Sequence, residues 1–394
     1  MSKYGFSYLG SKNYICDELL KLFPPAKNFY DLFGGGGAVS HAVIKSAPKK
    51  FGRIIYNDLG DVARALVMTS SDYNDLLHNF VTPEEYKEIM SRPDKSPRDV
   101  AALCAYSFQG TESYVYNTVS AELYKGYFDL VQNGDSSFFD GIGISKDNFD
   151  ESHIEQIYSK YFFSKYSARH ISREEFAKME VEFMEAIRGK LNDARKKSNV
   201  TIDYLCTYYN NSAISHYFSR SQQMLPSVEM FIKLGRKMQL PFSVEEYSRN
   251  IGWYKFYRDF WYKYSFNFRL PNIEKLKQIY KVATDFYFSG LEIRNLDYRD
   301  VKIEPDSVVY CDIPYENTQN GNYAKGFRHA EFLDWAARQD ELVLISSYCI
   351  RDKRFAELAS IGKTSCINNK PTTEKVYIAK KNIGKYAKMM AERI

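Results

Sequence analysis

Residues 28–58, NFYDLFGGGGAVSHAVIKSAPKKFGRIIYND, decide how this chain folds. NFYDLF is rich in β-forming residues, Gly34 to Gly37 interrupt the run, AVSHAVIKSA has helical apolar spacing, and RIIYND is again a strand candidate. Strand, glycine turn, helix and strand open a βαβ unit and hence a parallel sheet. The glycines allow positive φ and close backbone approach, leaving backbone N–H groups and the next helix's N-terminus to face a ligand. Asp58 stands 21 residues after Gly37. At the end of the second strand, that distance suits a carboxylate accepting both ribose hydroxyls of a nucleoside. A dinucleotide fingerprint would need a further glycine where Val39 stands, so a nicotinamide cofactor is poorly supported.

Outward from this unit the text turns helical and polar, as in YNDLLHNF and PEEYKEIMSR, and strand text resumes near residue 290. LEIRNLD, DSVVYCD, ELVLISSY and KVYIAKK are four further strand candidates. One sheet, over residues 1–70 and 290–394, is therefore expected to be split by a mainly helical insertion over 71–289. Residues 161–290 hold 21 Lys and Arg against 13 Asp and Glu, whereas the whole chain of 394 residues carries a net +5. The asymmetry favours a polyanionic partner for the insertion. Aromatic residues make up 16% of the chain. Ten of the eighteen residues 251–268, IGWYKFYRDFWYKYSFNF, are aromatic, with Lys255, Arg258 and Lys263 among them. Such a stripe reads as a base-stacking surface or as the core of a helical lobe with cations at its rim, the commoner case. In HYFSRSQQ, His216, Arg220, Gln222 and Gln223 are a further base-edge candidate or a solvated loop.

Several classes are disfavoured. No stretch approaches the roughly 18 apolar residues of a spanning helix, and the first residues lack a signal peptide's apolar core, so a cytoplasmic protein is expected. The six cysteines form no C-x-x-C pair and the six histidines no metal-ligand spacing; P-loop and G-x-S-x-G patterns are missing.

DSVVYCD ends in Asp312, followed by Ile313, Pro314 and Tyr315. At the carboxyl edge of an open α/β sheet this group brings together a carboxylate, a backbone carbonyl and an aromatic ring, where ligands bind. An exocyclic amine such as adenine N6 is a poor nucleophile because its lone pair is delocalised into the ring. Two acceptors on its hydrogens, Asp312 Oδ and the Ile313 carbonyl, help localise that pair toward a methyl donor. Tyr315 can stack on the base, which must first leave the duplex. Taken alone, Asp before a proline turn is commonly structural.

The motifs together say more. Tyr8-Leu9-Gly10-Ser11-Lys12, then Asp31-x-Phe33-x-Gly35-x-Gly37, then Asn57-Asp58, then a large insertion and Asp312-Ile313-Pro314-Tyr315 stand in one order. The chain thereby resembles the Dam-like, alpha-class N6-adenine-specific DNA methyltransferases, and AYSFQGTESYVYN is similar to a segment of their phage-like branch. The resemblance covers residues 5–70 and 290–380. It implies a Rossmann-like S-adenosylmethionine-dependent methyltransferase sheet with a large, mostly helical inserted target-recognition domain. It implies S-adenosylmethionine as donor, S-adenosylhomocysteine as product, no metal requirement and DNA as partner. A cognate restriction nuclease in the same system is compatible with it, and one flipped base per encounter suits a monomer. By this resemblance Tyr8, Lys12, Asp31, Phe33, Gly35, Gly37, Asp58 and Asp312 contact the cofactor, Lys12 through its carboxylate, and Asp312, Ile313, Pro314 and Tyr315 form the catalytic group. Asp297, with Tyr298, is a secondary cofactor candidate or a turn residue. The family usually has proline where Ile313 stands. The acceptor there is a backbone carbonyl, and Pro314 biases Ile313 toward an extended conformation, so activity is expected to survive. RNA adenine or cytosine N4 as the substrate, and a catalytically silent nucleic-acid binder, remain alternatives.

Overall fold

The computed structural model describes residues 3–8, 10–107, 113–116, 121–141, 154–166, 168–221, 224–240, 243–263, 269–315, 326–364 and 371–392. Its centre is a seven-stranded sheet among these residues, in the order β3-β2-β1-β4-β5-β7-β6. The strands are β1 (Ala26–Asp31), β2 (Phe51–Asn57), β3 (Glu292–Arg294), β4 (Ser307–Asp312), β5 (Leu342–Ser347), β6 (Phe355–Thr364) and β7 (Pro371–Ala379). β1 to β5 run parallel, while β7 is antiparallel to both β5 and β6. β1 lies between β2 and β4, so the chain leaves it toward one side and returns on the other. Such a reversal of strand order opens a crevice at the carboxyl ends of the two central strands.

Strands covered on both faces are apolar throughout, and period-two alternation divides their side chains between two cores. Phe29, Val308, Tyr310, Leu342 and Leu344 pack under α1 (Cys16–Leu22) and α2 (Ala38–Ser46). Tyr30, Val309, Cys311, Val343 and Ile345 face the opposite side, against Phe332 and Ala336 of the helix His329–Arg338. Each buried aromatic or aliphatic side chain contributes roughly 1.5–3 kcal/mol. The expected strands LEIRNLD, DSVVYCD, ELVLISSY and KVYIAKK are β3, β4, β5 and β7. β6 was not anticipated: FAELASIGKT mixes small and charged residues, and its register shifts between Glu357 and Ala359.

The chain divides into two compact units, residues 1–136 with 269–394, and residues 137–268. The first holds the sheet together with helices of the 70–136 stretch and the helix Pro271–Ser289, all of which the sequence reading assigned to the 71–289 insertion. The second is helical, with a core that includes Leu191, Leu205, Phe231, Leu234 and Tyr247. In the run 251–268, Tyr254, Tyr257 and Phe260 are buried, and Phe260 packs on Phe162 and Phe163. Lys255 and Arg258 are exposed, so its described part is the aromatic core of a helical lobe; 264–268 lie outside the described residues. Gln222, Gln223 and residues 108–112 and 117 of AYSFQGTESYVYN also lie outside them. Among the described residues no helix is long and apolar enough to cross a membrane.

Buried His41 ties three elements of the sheet unit together. Its Nδ1 accepts from Gly5 N–H at 3.0 Å and its Nε2 donates to Asp285 Oδ2 at 2.9 Å, joining α2 to the N-terminal segment and to the helix Pro271–Ser289. Burial pulls Asp285 up, but hydrogen bonds from Lys281, Lys45 and His41 outweigh it and hold the carboxyl well below its usual range. Burial lowers the His41 pKa below 6.5 despite Asp285. The folded state therefore favours neutral imidazole; this contribution is complete above about pH 6.5 and is lost as pH falls toward the folded value. His41→Ala is expected to cost about 1–3 kcal/mol at pH 7.5, since it strands the Gly5 N–H. In urea unfolding the wild type's margin over the variant should narrow between pH 7 and 5; a constant margin would contradict the assigned tautomer.

Candidate active site

A cleft of about 350 Å³, partly open to solvent, lies at the carboxyl ends of β1 and β4. Tyr8, Lys12, Asp31, Phe33, Gly35 and Asp312 are among its lining residues. The parallel register that sets Asp31 beside Tyr310 brings the two strand-end carboxylates to the same edge.

Asp31 is 1% exposed. Its Oδ2 accepts from the Ser40 amide at 3.1 Å and the Ser40 hydroxyl at 2.8 Å, while Oδ1 is buried with no hydrogen-bond partner among the described residues. Burial pushes its pKa up to about 7; the Ser40 hydrogen bonds oppose this, and Asp312 and Asp58 add to it. An unsatisfied carboxylate oxygen in the lining is a place for a cationic donor.

The glycine turn proves more internal than its composition suggests. Gly34 N–H donates to the Asn57 carbonyl, Gly35 N–H to Asp58 Oδ2 at 2.8 Å, and Gly37 N–H to the Gly34 carbonyl. These three amides brace the turn, contrary to the expectation that they face a ligand. The glycines are required by close neighbours: a Cβ on Gly34 would lie 2.1 Å from the Tyr56 ring, and one on Gly36 2.7 Å from the Phe6 carbonyl oxygen. Gly35 and Gly37 take φ of +48° and +73°, which side chains rarely adopt. Phe6 N–H donates to the Gly36 carbonyl at 3.0 Å, fastening the N-terminal segment over the turn. Asp58 is not part of the cleft lining. Its oxygens accept from Gly35 and Gly60 amides, and burial pushes its pKa up to about 6.

At the edge of β4, Lys12 Nζ lies 2.5 Å from Asp312 Oδ2 and 3.1 Å from the Gly10 carbonyl oxygen. Its side chain is 3% exposed. Burial pulls the Lys12 pKa down, but the carboxylates of Asp312 and Glu374 outweigh it, so the ammonium stays charged. Lys12 thus reaches Asp312, a contact the sequence reading did not anticipate. Ile313 is buried, and the Pro314 carbonyl accepts from His329 Nε2 at 2.6 Å. The Tyr315 hydroxyl donates to Glu374 Oε1 at 2.6 Å, and its ring lies 4.3 Å from that of Tyr348 and 5.2 Å from Lys12 Nζ. Burial and the neighbouring Asp312 and Glu374 carboxylates hold the phenol protonated.

Phe33 lines the cleft and packs against Tyr298 at 5.7 Å. Asp297 accepts from the Arg299 amide and guanidinium, which keeps its pKa low. Leu9 lies outside the described residues. Glu374, Tyr348, Ser346 and His329 were not read from the sequence, since each sits in strand or helix text with no motif around it. No group of three or more His, Cys, Asp or Glu among the described residues could hold a metal ion.

Residues 8–87 match the family model of D12 class N6 adenine-specific DNA methyltransferases. No curated protein matches the chain. The matched segment holds Tyr8, Lys12, Asp31, the glycine turn and Asp58, and the match supports an adenine-specific DNA methyltransferase. Replacing Gly36 by alanine should displace Phe6 from the turn and destabilise the protein by about 1–3 kcal/mol. Thermal unfolding measures this; an unchanged midpoint would mean that the N-terminal segment yields freely.

Proposed function

We propose that this chain transfers the methyl group of S-adenosylmethionine to the N6 amine of an adenine turned out of duplex DNA. The observation that carries the reading is one cleft lined both by Asp31, with its unsatisfied buried carboxylate oxygen, and by the Lys12–Asp312 pair, beside which the Tyr315 ring lies 5.2 Å from Lys12 Nζ. The family match over residues 8–87 supports the same chemistry.

The residues present fit such a donor. Asp31 Oδ1 suits its ammonium, and the rings of Phe33 and Tyr8 suit a sulfonium, which aromatic faces attract. Lys12 carries three N–H donors, two of them directed to Asp312 and Gly10, which leaves one for a carboxylate. Asp58 stands outside the cleft lining, at the end of β2 behind Gly35; each of its oxygens accepts one backbone amide and keeps acceptor capacity for a ribose hydroxyl. Gly35 and Gly37 shape the turn beneath, and Asp297 holds the turn that carries Tyr298. S-adenosylmethionine, when bound, supplies an electrophilic methyl group on a positively charged sulfur.

The chain's own part is to make the amine nucleophilic. Asp312 Oδ and the Ile313 carbonyl accept the two N6 hydrogens, drawing the lone pair away from the ring, Asp312 takes up the proton that N6 loses as it gains the methyl group, and Tyr315 stacks on the base. Lys12 pairs with Asp312 Oδ2 and holds the carboxylate at the edge of β4. Pro314, held through its carbonyl by His329, fixes the turn from which Tyr315 leaves. Duplex DNA and the basic stretch 161–290 make a complementary pair.

Purified protein, mixed-sequence DNA and methyl-labelled S-adenosylmethionine test this directly. Labelled N6-methyladenine is the expected product, while label on cytosine N4, or none on DNA, would overturn the proposal. Asp312→Ala should lower kcat at least about 100-fold. Asp31 gives a pH test. Its folded pKa of about 7 lies above the ordinary carboxylate value, so the free protein holds a proton there as pH falls below 7, and a cationic ligand must displace it. Calorimetric affinity for S-adenosylmethionine should fall up to about tenfold per pH unit below pH 7. Asp31→Asn should bind weakly and without that slope; a wild-type slope in the variant would assign the titration elsewhere.

A further inference from the structure

Glu374 lies in β7 with none of its surface exposed, and the proposed methyl transfer makes no use of it. Its Oε1 accepts from the Tyr315 hydroxyl at 2.6 Å and from the Ser346 hydroxyl at 2.9 Å. A carboxylate withdrawn from water is costly unless it is hydrogen bonded or paired, and replacing such a group by a well-packed apolar one is often neutral or stabilising. Packing alone therefore gives no reason for a glutamate inside β7. Besides its charge near Lys12, the carboxylate supplies an anchor for one phenol.

A tyrosine ring turns about two side-chain torsions, and its terminal torsion is broad. Fixing the hydroxyl position fixes the first, and because a phenol O–H prefers the plane of its ring, the direction of the hydrogen bond biases the second, which the Tyr348 ring further restricts. Tyr315 follows Pro314 at the end of β4, where the strand ladder no longer holds it. Its orientation is set instead by the hydroxyl on Glu374, by the Tyr348 ring at 4.3 Å with 36° between planes, and by Lys12 Nζ at 5.2 Å from its centroid. Ser346 at the end of β5 completes the acceptor from the neighbouring strand. Stacking depends on the plane and offset of the ring, so a ring held before the base arrives loses less freedom on binding it.

We propose that Glu374 is a positioning residue of the target-base pocket, its carboxylate holding the Tyr315 ring in the plane on which the adenine stacks. The inference rests on the reading of Tyr315 as the stacking ring. Glu374 touches neither cofactor nor base and acts through the phenol.

The test compares wild type with Glu374→Ala, Glu374→Gln, Tyr315→Phe and the double variant Glu374→Ala with Tyr315→Phe. Steady-state methylation of DNA is measured together with calorimetric binding of S-adenosylmethionine. Fluorescence of a duplex with 2-aminopurine at the adenine that the wild type methylates reports the turned-out base. Glu374→Ala and Tyr315→Phe should each lower kcat/KM about 10- to 100-fold. Both should reduce the 2-aminopurine signal and leave cofactor affinity unchanged. The double variant should lose no more than either single one, and Glu374→Gln, whose amide oxygen still accepts the phenol, should recover most of the activity. Additive losses in the double variant, or Glu374→Ala at the wild-type rate, would overturn the inference while the enzymatic reading stands. If Glu374→Ala does not fold, Tyr315→Phe decides, because a wild-type rate there makes the bond idle. A wild type that transfers no methyl group to adenine would overturn the reading itself and the inference with it.

Discussion

Lys12 and Asp312 stand 300 residues apart in the chain and 2.5 Å apart in the fold, with the ammonium shut off from water. A lysine buried to that degree needs a carboxylate, and breaking such a pair by removing one partner costs about 3–5 kcal/mol. The pair therefore fixes where the N-terminal segment lies: across the carboxyl ends of β1 and β4. Once it lies there, Phe6 meets Gly36, Gly5 meets His41, and Tyr8 comes over Gly35, so that the glycines are demanded by neighbouring chain. The crevice left by the strand order becomes a cleft with a wall, and that wall is the N-terminal segment.

Charge in this region is unbalanced. Asp31, Asp58, Asp312 and Glu374 face or flank one region in which, among the described residues, Lys12 is the cation paired to Asp312; Asp312 and Asp58 raise the pKa of Asp31, and Asp312 raises that of Asp58. A pocket with this surplus of negative charge in low dielectric favours a ligand that brings positive charge and disfavours phosphate. The glycine turn agrees, since three of its amides are committed to Asn57, Asp58 and Gly34 and do not form the open cradle of an anion site.

Much of this architecture is legible in the sequence because local and tertiary demands coincide there. β1, the glycine turn, α2 and β2 have runs whose period, turn residues and end carboxylates all point the same way. Asp312 at the end of a buried strand is readable for the same reason. β6 escaped because its outer position permits charged and small residues, which hide the alternation. Glu374 escaped because a glutamate in a short strand reads as solvent-facing; only the pairing of β7 with β5 turns it inward, toward Ser346. The aromatic run 251–268 allowed two readings, and the burial of Tyr247, Ile251, Tyr254 and Tyr257 at helical spacing separates them in its described part. Asp58 was placed correctly at the end of β2, but its bonds to the Gly35 and Gly60 amides depend on a turn geometry that composition does not specify.

The split of the sheet unit by the 137–268 unit also governs the order in which the protein can assemble. β1 pairs with β4 from Asn28 to Asp31, yet Asn28 and its partner Ser307 are separated by 279 residues. At roughly 5–20 residues per second, β4 leaves the ribosome on the order of 15–60 s after β1. The 137–268 unit has a core of its own and is synthesised entirely within that interval. For its duration β1 can pair with β2 alone, and its other edge, in the most apolar part of the future sheet, is an open strand edge that templates wrong partners. How long that edge stays open follows from where the chain is interrupted.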